Sequence, residues 1–98
     1  MAKKKVVWTA KAKIKRFEIL EFYCKRNKSN LYSIKLNRLI NERIRLLKNY
    51  PELGIATSFE GTRVTFIEHF MLFYQIKGNE IIIHLLWDSR QDSDKLTF

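Results

Sequence analysis

The apolar pattern of this 98-residue chain changes period once, across the stretch that begins at Pro51, and that change constrains the fold more than any other feature. Upstream the spacing is helical. From Ala10 to about Lys25 there is no Gly or Pro, and Ala10, Ile14, Phe17 and Cys24 fall near one helical face, which Glu21 interrupts while Ile19 lies opposite. Thr9 precedes this helix as a hydroxyl cap, and the polar run Asn27, Lys28, Ser29, Asn30 ends it, with Ser29 or Asn30 available to cap the next. The second helix carries a stripe of Tyr32, Leu36, Leu39, Ile40, Leu46, Leu47 and Tyr50, with Lys35, Arg38, Asn41, Glu42, Arg45 and Lys48 toward water. Pro51 stops it, because proline disfavours helical geometry in the residue before it and has no N–H to donate.

Downstream of an irregular connection, Leu53 to Gly61, the period is two. Val64 and Phe66 alternate with Arg63 and Thr65 over about 62–67, and Phe70, Leu72, Tyr74 and Ile76 alternate with Met71, Phe73, Gln75 and Lys77 over about 70–77. A turn at Lys77, Gly78, Asn79, Glu80 leads to a third strand, about 81–87, which is apolar on both faces apart from His84 and is therefore expected to be central. Val6, Val7 and Trp8 make one further β-prone run, over about 4–8. The expected fold is α+β: an N-terminal strand, then a two-helix hairpin packed on an antiparallel meander, all in one domain spanning 1–98.

Charge separates the same two halves. Residues 1–48 hold fifteen Lys/Arg against three acids, a net +12, and residues 49–98 hold four against seven, a net −3. A basic field of this kind draws in RNA, DNA, anionic membrane or an acidic protein without distinguishing among them. The lone Cys24 excludes a disulfide framework, and with only two histidines, far apart in sequence, there is no metal-ligand spacing and no cofactor motif. After Lys3, Lys4 and Lys5 the apolar run is too short for a secretory signal, and no stretch is apolar for long enough to span a bilayer, so the expected location is the cytoplasm.

Read in order, several segments resemble the RelE/ParE toxins of type II toxin–antitoxin systems. Tyr50, Pro51, Glu52, Leu53, Gly54 is similar to that family's P-x-L-G exit from the second helix, and Thr62, Arg63, Val64 to its arginine-bearing first meander strand. His69 to Ile76 resembles its next strand, and Ile81 to Trp87 followed by Asp88, Ser89, Arg90, Gln91, Asp92 resembles its last strand and R-Q-D/N ending. The resemblance implies a toxin that restrains growth and is neutralised by a cognate antitoxin wrapping it through an extended or helical segment. It also implies one of two targets: ribosome-bound messenger RNA, cut by RelE-like members, or DNA gyrase, poisoned by ParE-like members.

Cutting RNA through its own 2′-hydroxyl needs a base, an acid and positive charge around the phosphorane. Arg63, His69, Lys77, His84 and Arg90 are the candidates: His69 as base, Arg63 and Arg90 as phosphate grips, and Arg63, Lys77 and Arg90 as contacts to a target. A histidine flanked by apolar residues, as His84 is, more often serves a core hydrogen bond. Set against the resemblance, Met71 stands where RNA-cutting members commonly carry arginine, the family's usual lysine cluster before the first meander strand is missing because residues 52–62 contain no Lys or Arg, and the tail after Arg90 has no tyrosine. These departures favour the ParE-like target over the RelE-like ribonuclease. A basic nucleic-acid-binding module without toxicity is a remoter reading, and the apolar stripe of the second helix is better explained as cover for the sheet than as a membrane-surface face.

Overall fold

The computed structural model describes residues 4–91 and shows the expected order of an N-terminal strand, two helices and an antiparallel meander. Strand β1, Lys5–Trp8, leads into α1, Ala10–Asn27, then α2, Leu31–Asn49. Thr9 caps α1 as expected: its Oγ1 accepts the Ala12 N–H at 3.1 Å. At the other end Lys28 takes a left-handed φ of 51°, turning the chain so that the Ser29 N–H reaches the Cys24 carbonyl at 3.2 Å. Asn30 occupies the cap position of α2 without a side-chain bond, and the Ser29 hydroxyl instead accepts the Leu31 N–H at 3.2 Å. Pro51 stops α2 and opens a short 3-10 turn, Pro51–Leu53.

Four more strands follow: β2, Ile55–Ala56; β3, Thr62–Ile67; β4, Phe70–Lys77; and β5, Glu80–Asp88. The sheet order is β1-β5-β4-β3-β2, with β1 parallel to β5 and the remaining pairs antiparallel. The two-residue β2 lies inside the stretch expected to be irregular; it is too short to show a period in sequence.

Both helices lie over one sheet face. Leu36, Ile40, Ile44 and Leu47 of α2 pack with Ile67, Phe70, Leu72, Tyr74, Ile81, Ile83 and Leu86 beneath. The α1 face differs from the expected one. Ile14 and Phe17 are 60% and 64% exposed, whereas Ala12 and Tyr23 are buried and Ile19 and Leu20 partly so. Arg16 disguised the inner face: its guanidinium lies 4.8 Å over the Trp8 ring and donates to Asn37 Oδ1 and Asn41 Oδ1 of α2 at 2.6 and 2.9 Å, so a charged residue sits on the packed side. Cys24 is a free thiol at the helix contact, 3.3 Å from Ser33 Oγ.

On β5 the register slips at His84: Tyr74 pairs with Ile83 and Phe73 with Leu85. The extra residue is a bulge, and it reverses which face the following side chains take. Ile81 and Ile83 belong to the helix-side core, while Leu85 and Trp87 join Val64 and Phe73 in a second buried cluster on the opposite face.

Candidate functional site

One end of the sheet gathers four polar side chains from three elements. The β3–β4 hairpin closes through Glu68 and His69, β5 ends at Asp88 with Ser89 and Arg90 beyond it, and α1 supplies Tyr23. Arg90 donates from Nη2 to Tyr23 Oη at 2.6 Å and grips both Asp88 oxygens, Nε to Oδ1 at 3.2 Å and Nη2 to Oδ2 at 3.0 Å. Tyr23 Oη lies 3.1 Å from His69 Nε2. A guanidinium can only donate, so Tyr23 Oη accepts from Arg90, and its own proton is available to Nε2 in the tautomer that leaves that nitrogen an acceptor. Asp88 Oδ2 stands 3.8 Å from the same Nε2. The His69 carbonyl accepts both the N–H and the hydroxyl of Ser89, at 2.9 and 2.6 Å, which ties the hairpin to the end of β5. The rings of Tyr32 and Phe70 flank Tyr23, with centroids 4.8 and 6.2 Å away.

The electrostatics follow from these contacts. Partial burial works against the Asp88 charge, yet the hydrogen bonds from the Arg90 side chain and backbone N–H, with the attraction of that guanidinium, hold the carboxyl below its usual range. The same hydrogen bonding raises Arg90 above its ordinary value. Burial, then the neighbouring Tyr23, pushes the Tyr32 phenol up. Imidazole, phenol and guanidinium thus all find partners within the cluster, and of these Arg90, 55% exposed at its side chain, offers itself outward. Beside it lies a shallow cleft of about 240 Å³, lined by Lys15, Glu18, Phe22, Tyr23, Asp88 and Gln91.

The structure brings His69 and Arg90 together and leaves the other candidates elsewhere. Arg63 is the second residue of β3, near the end away from His69, and donates to the Gly54 and Glu52 carbonyls at 2.7 and 3.4 Å. Lys77 is exposed at the far end of β4. His84 makes the hydrogen bond its apolar setting implied, Nε2 to Gln75 Oε1 at 2.8 Å; burial first, and Lys77 second, hold its pKa below the usual value. Met71, on the face away from the helices, packs against the buried cluster of Val64, Phe73, Leu85 and Trp87. The tail residues 92–98 lie outside the described residues.

A family model described as the ParE toxin of type II toxin-antitoxin systems, parDE, matches residues 6–93. The chain belongs to the ParE toxin family. Among solved structures, this ParE-family chain is similar to one from the chromosomal ParDE toxin–antitoxin system of P. aeruginosa, with 22% identity, a TM-score of 0.75, and coverage of 87% of this chain and 95% of that one. It is also similar to the YoeB/ParE toxin from Agrobacterium tumefaciens, with 19% identity, a TM-score of 0.60, and coverage of 86% and 96%. At such identities the likeness concerns the fold. No protein of curated function matches the sequence.

Two members of this cluster, Tyr23 and Asp88, were not singled out by sequence as site residues. Tyr23 is 46 residues from His69 and 67 from Arg90, a separation that no local pattern signals. Asp88 stands two residues before Arg90, and a carboxylate that close to an arginine at a strand end was the one available hint. Among the described residues no three or more His, Cys, Asp or Glu side chains are grouped to hold a metal ion, and no helix is long and apolar enough to cross a membrane.

Proposed function

We propose that this ParE-family toxin is held inactive by a cognate antitoxin and acts on DNA gyrase, without cutting messenger RNA. The observation that carries the choice of target is the setting of Met71. Where the ribonuclease reading needs positive charge, Met71 packs against Val64, Phe73, Leu85 and Trp87, an apolar group beside which Lys15 Nζ stands 5.7 Å over the Trp87 ring. Arg63, the second grip that reading needs, is engaged on two backbone carbonyls. The groups that remain, His69 and Arg90, satisfy each other through Tyr23 and Asp88, so Arg90 fits the role of an exposed contact to a target and His69 that of a brace.

The test compares two assays of purified protein. Gyrase supercoiling is expected to stop and ribosome-bound messenger to stay intact; Arg90→Ala weakens the inhibition and His69→Ala does not. Codon-specific cleavage products that vanish with His69→Ala would reverse the assignment and make the cluster a ribonuclease site. Losing one positioned transition-state contact typically costs about 100- to 1000-fold in rate, so a true nuclease would show the loss clearly.

A further inference from the structure

An exposed arginine usually samples many rotamers, and one ion pair in water does little to stop it. Two surface pairs of this chain show that ordinary looseness: Lys25 reaches Glu21 by one contact of 3.2 Å and Arg38 comes to 3.9 Å from Glu42, with the two cationic side chains 76% and 68% exposed. Arg90 departs from it. Although more than half exposed, it gives one Asp88 oxygen to Nε and the other to Nη2, and Nη2 uses its second N–H on Tyr23 Oη. The Arg90 backbone N–H adds a further bond to Asp88 Oδ1 at 2.9 Å. What remains of the guanidinium is Nη1, which makes no hydrogen bond among the described residues.

Asp88 cannot fix that nitrogen in space alone. It stands two residues before Arg90 on the same chain end, so the pair can swing together, whereas the bond to Tyr23 crosses 67 residues and ties the guanidinium to the helix layer. Nor does packing ask for the Tyr23 oxygen. The ring is buried beside Phe22, Tyr32 and Phe70, with centroids 5.0, 4.8 and 6.2 Å away, and a phenylalanine would fill the same space. As an acceptor the oxygen needs only to stay where those rings hold it, so His69 can be lost without releasing Arg90.

We propose that Tyr23 is the positioning residue for Arg90, its hydroxyl holding the guanidinium so that Nη1 stands ready for one acceptor oxygen of the target. The inference rests on the reading of Arg90 as the contact to gyrase. Ordering a rotamer-rich side chain on association weakens binding by roughly two- to tenfold, and an arginine that is already held avoids that loss. The same bonds restrict what Arg90 can take. With Nε and both N–H groups of Nη2 engaged, it cannot offer the two-nitrogen fork that grips phosphate or carboxylate, so its contact is end-on, through Nη1.

The test measures the concentration of purified protein that half-inhibits gyrase supercoiling, for the unmodified chain, Tyr23→Phe, Arg90→Ala, the two together, and Arg90→Lys. Tyr23→Phe is expected to raise that concentration roughly two- to tenfold, and to add nothing in the Arg90→Ala background, because the hydroxyl acts only through Arg90. A loss of equal size in both backgrounds would assign the hydroxyl to the fold, and no loss in either would leave it without this role; each result overturns the inference and leaves Arg90 as the target contact. Arg90→Ala without effect, or an unmodified protein that does not inhibit, would sink the gyrase reading and the inference with it. Should Tyr23→Phe fail to fold, Arg90→Lys decides. An ammonium keeps the charge but cannot hold Asp88 through two nitrogens and reach Tyr23 in one plane, so a weakening close to that of Arg90→Ala is expected, and unchanged inhibition would overturn the inference.

Discussion

Tyr74 joins three stretches of sequence that seem unrelated when read one at a time. Its hydroxyl is fully enclosed, donates to the Pro51 carbonyl at 2.7 Å and accepts the Gly54 N–H at 2.8 Å, while Arg63, its cross-strand partner, donates to the Gly54 carbonyl. A Cβ on Gly54 would stand 2.6 Å from that hydroxyl and 2.8 Å from the Val64 carbonyl, so only glycine fits. The P-x-L-G, T-R-V and Y-x-I segments are therefore one knot fastening the end of α2 to β3 and β4. From sequence Arg63 reads as a phosphate grip because an arginine beside a β-run looks alike in either role; its true partners are carbonyls 9 and 11 residues away, which carry no side-chain signature. Burial raises the Tyr74 pKa, so the phenol stays a donor at neutral pH. Tyr74→Phe leaves a buried N–H and a carbonyl unsatisfied and is expected to cost about 1–3 kcal/mol, read as a lower midpoint in urea with an unchanged slope. An unchanged midpoint would mean that water replaces the hydroxyl and that the knot is not held by it.

At the scale of elements, what the sequence conveys depends on how regular each element is. The α2 stripe is legible because Leu36, Ile40 and Leu47 keep helical spacing against the sheet; Leu46 and Tyr50 overstate its width, being 38% and 63% exposed. The inner face of α1 is not legible, because Arg16 occupies it and Ile14 and Phe17 lie outside. Strand β5 hides its bulge for a different reason: a run apolar on both sides has no alternation whose phase can be seen to slip. His84 marks the slip chemically. Its folded pKa is depressed, so between that value and the unfolded value of about 6.5 the unfolded chain binds more protons than the native one. Its contribution to stability is then fully present above about pH 6.5 and is lost as pH falls through the folded value. Thermal midpoints measured from pH 7 to pH 5 are expected to drop further for the wild type than for His84→Gln, and parallel curves would show that His84 does not report on the bulge.

For the whole molecule the decisive asymmetry is electrostatic, and it was fully legible in composition: net +12 before residue 49 and −3 after it. Folding turns that order into geometry. The basic half builds β1 and the helix hairpin, where Lys11, Lys13, Lys25, Arg26, Lys28, Lys35, Arg38 and Arg45 are exposed, and the weakly acidic half builds the rest of the sheet. The apolar groups are divided as well, between the helix-side core and the patch around Met71, and that division could not be read from sequence because it depends on the bulge. A surface charged in this way should govern how quickly a partner arrives more than how long it stays, since rim charges steer diffusion while desolvated contacts set dissociation. With an acidic antitoxin segment, raising salt from about 0.01 M to 1 M shortens the screening length from about 30 Å to 3 Å and should slow association at least tenfold, leaving dissociation nearly constant. Stopped-flow association at several ionic strengths measures both rates. An association rate that stays flat across that range would mean that the basic hairpin faces away from the approaching partner, and that apolar contacts alone guide the encounter.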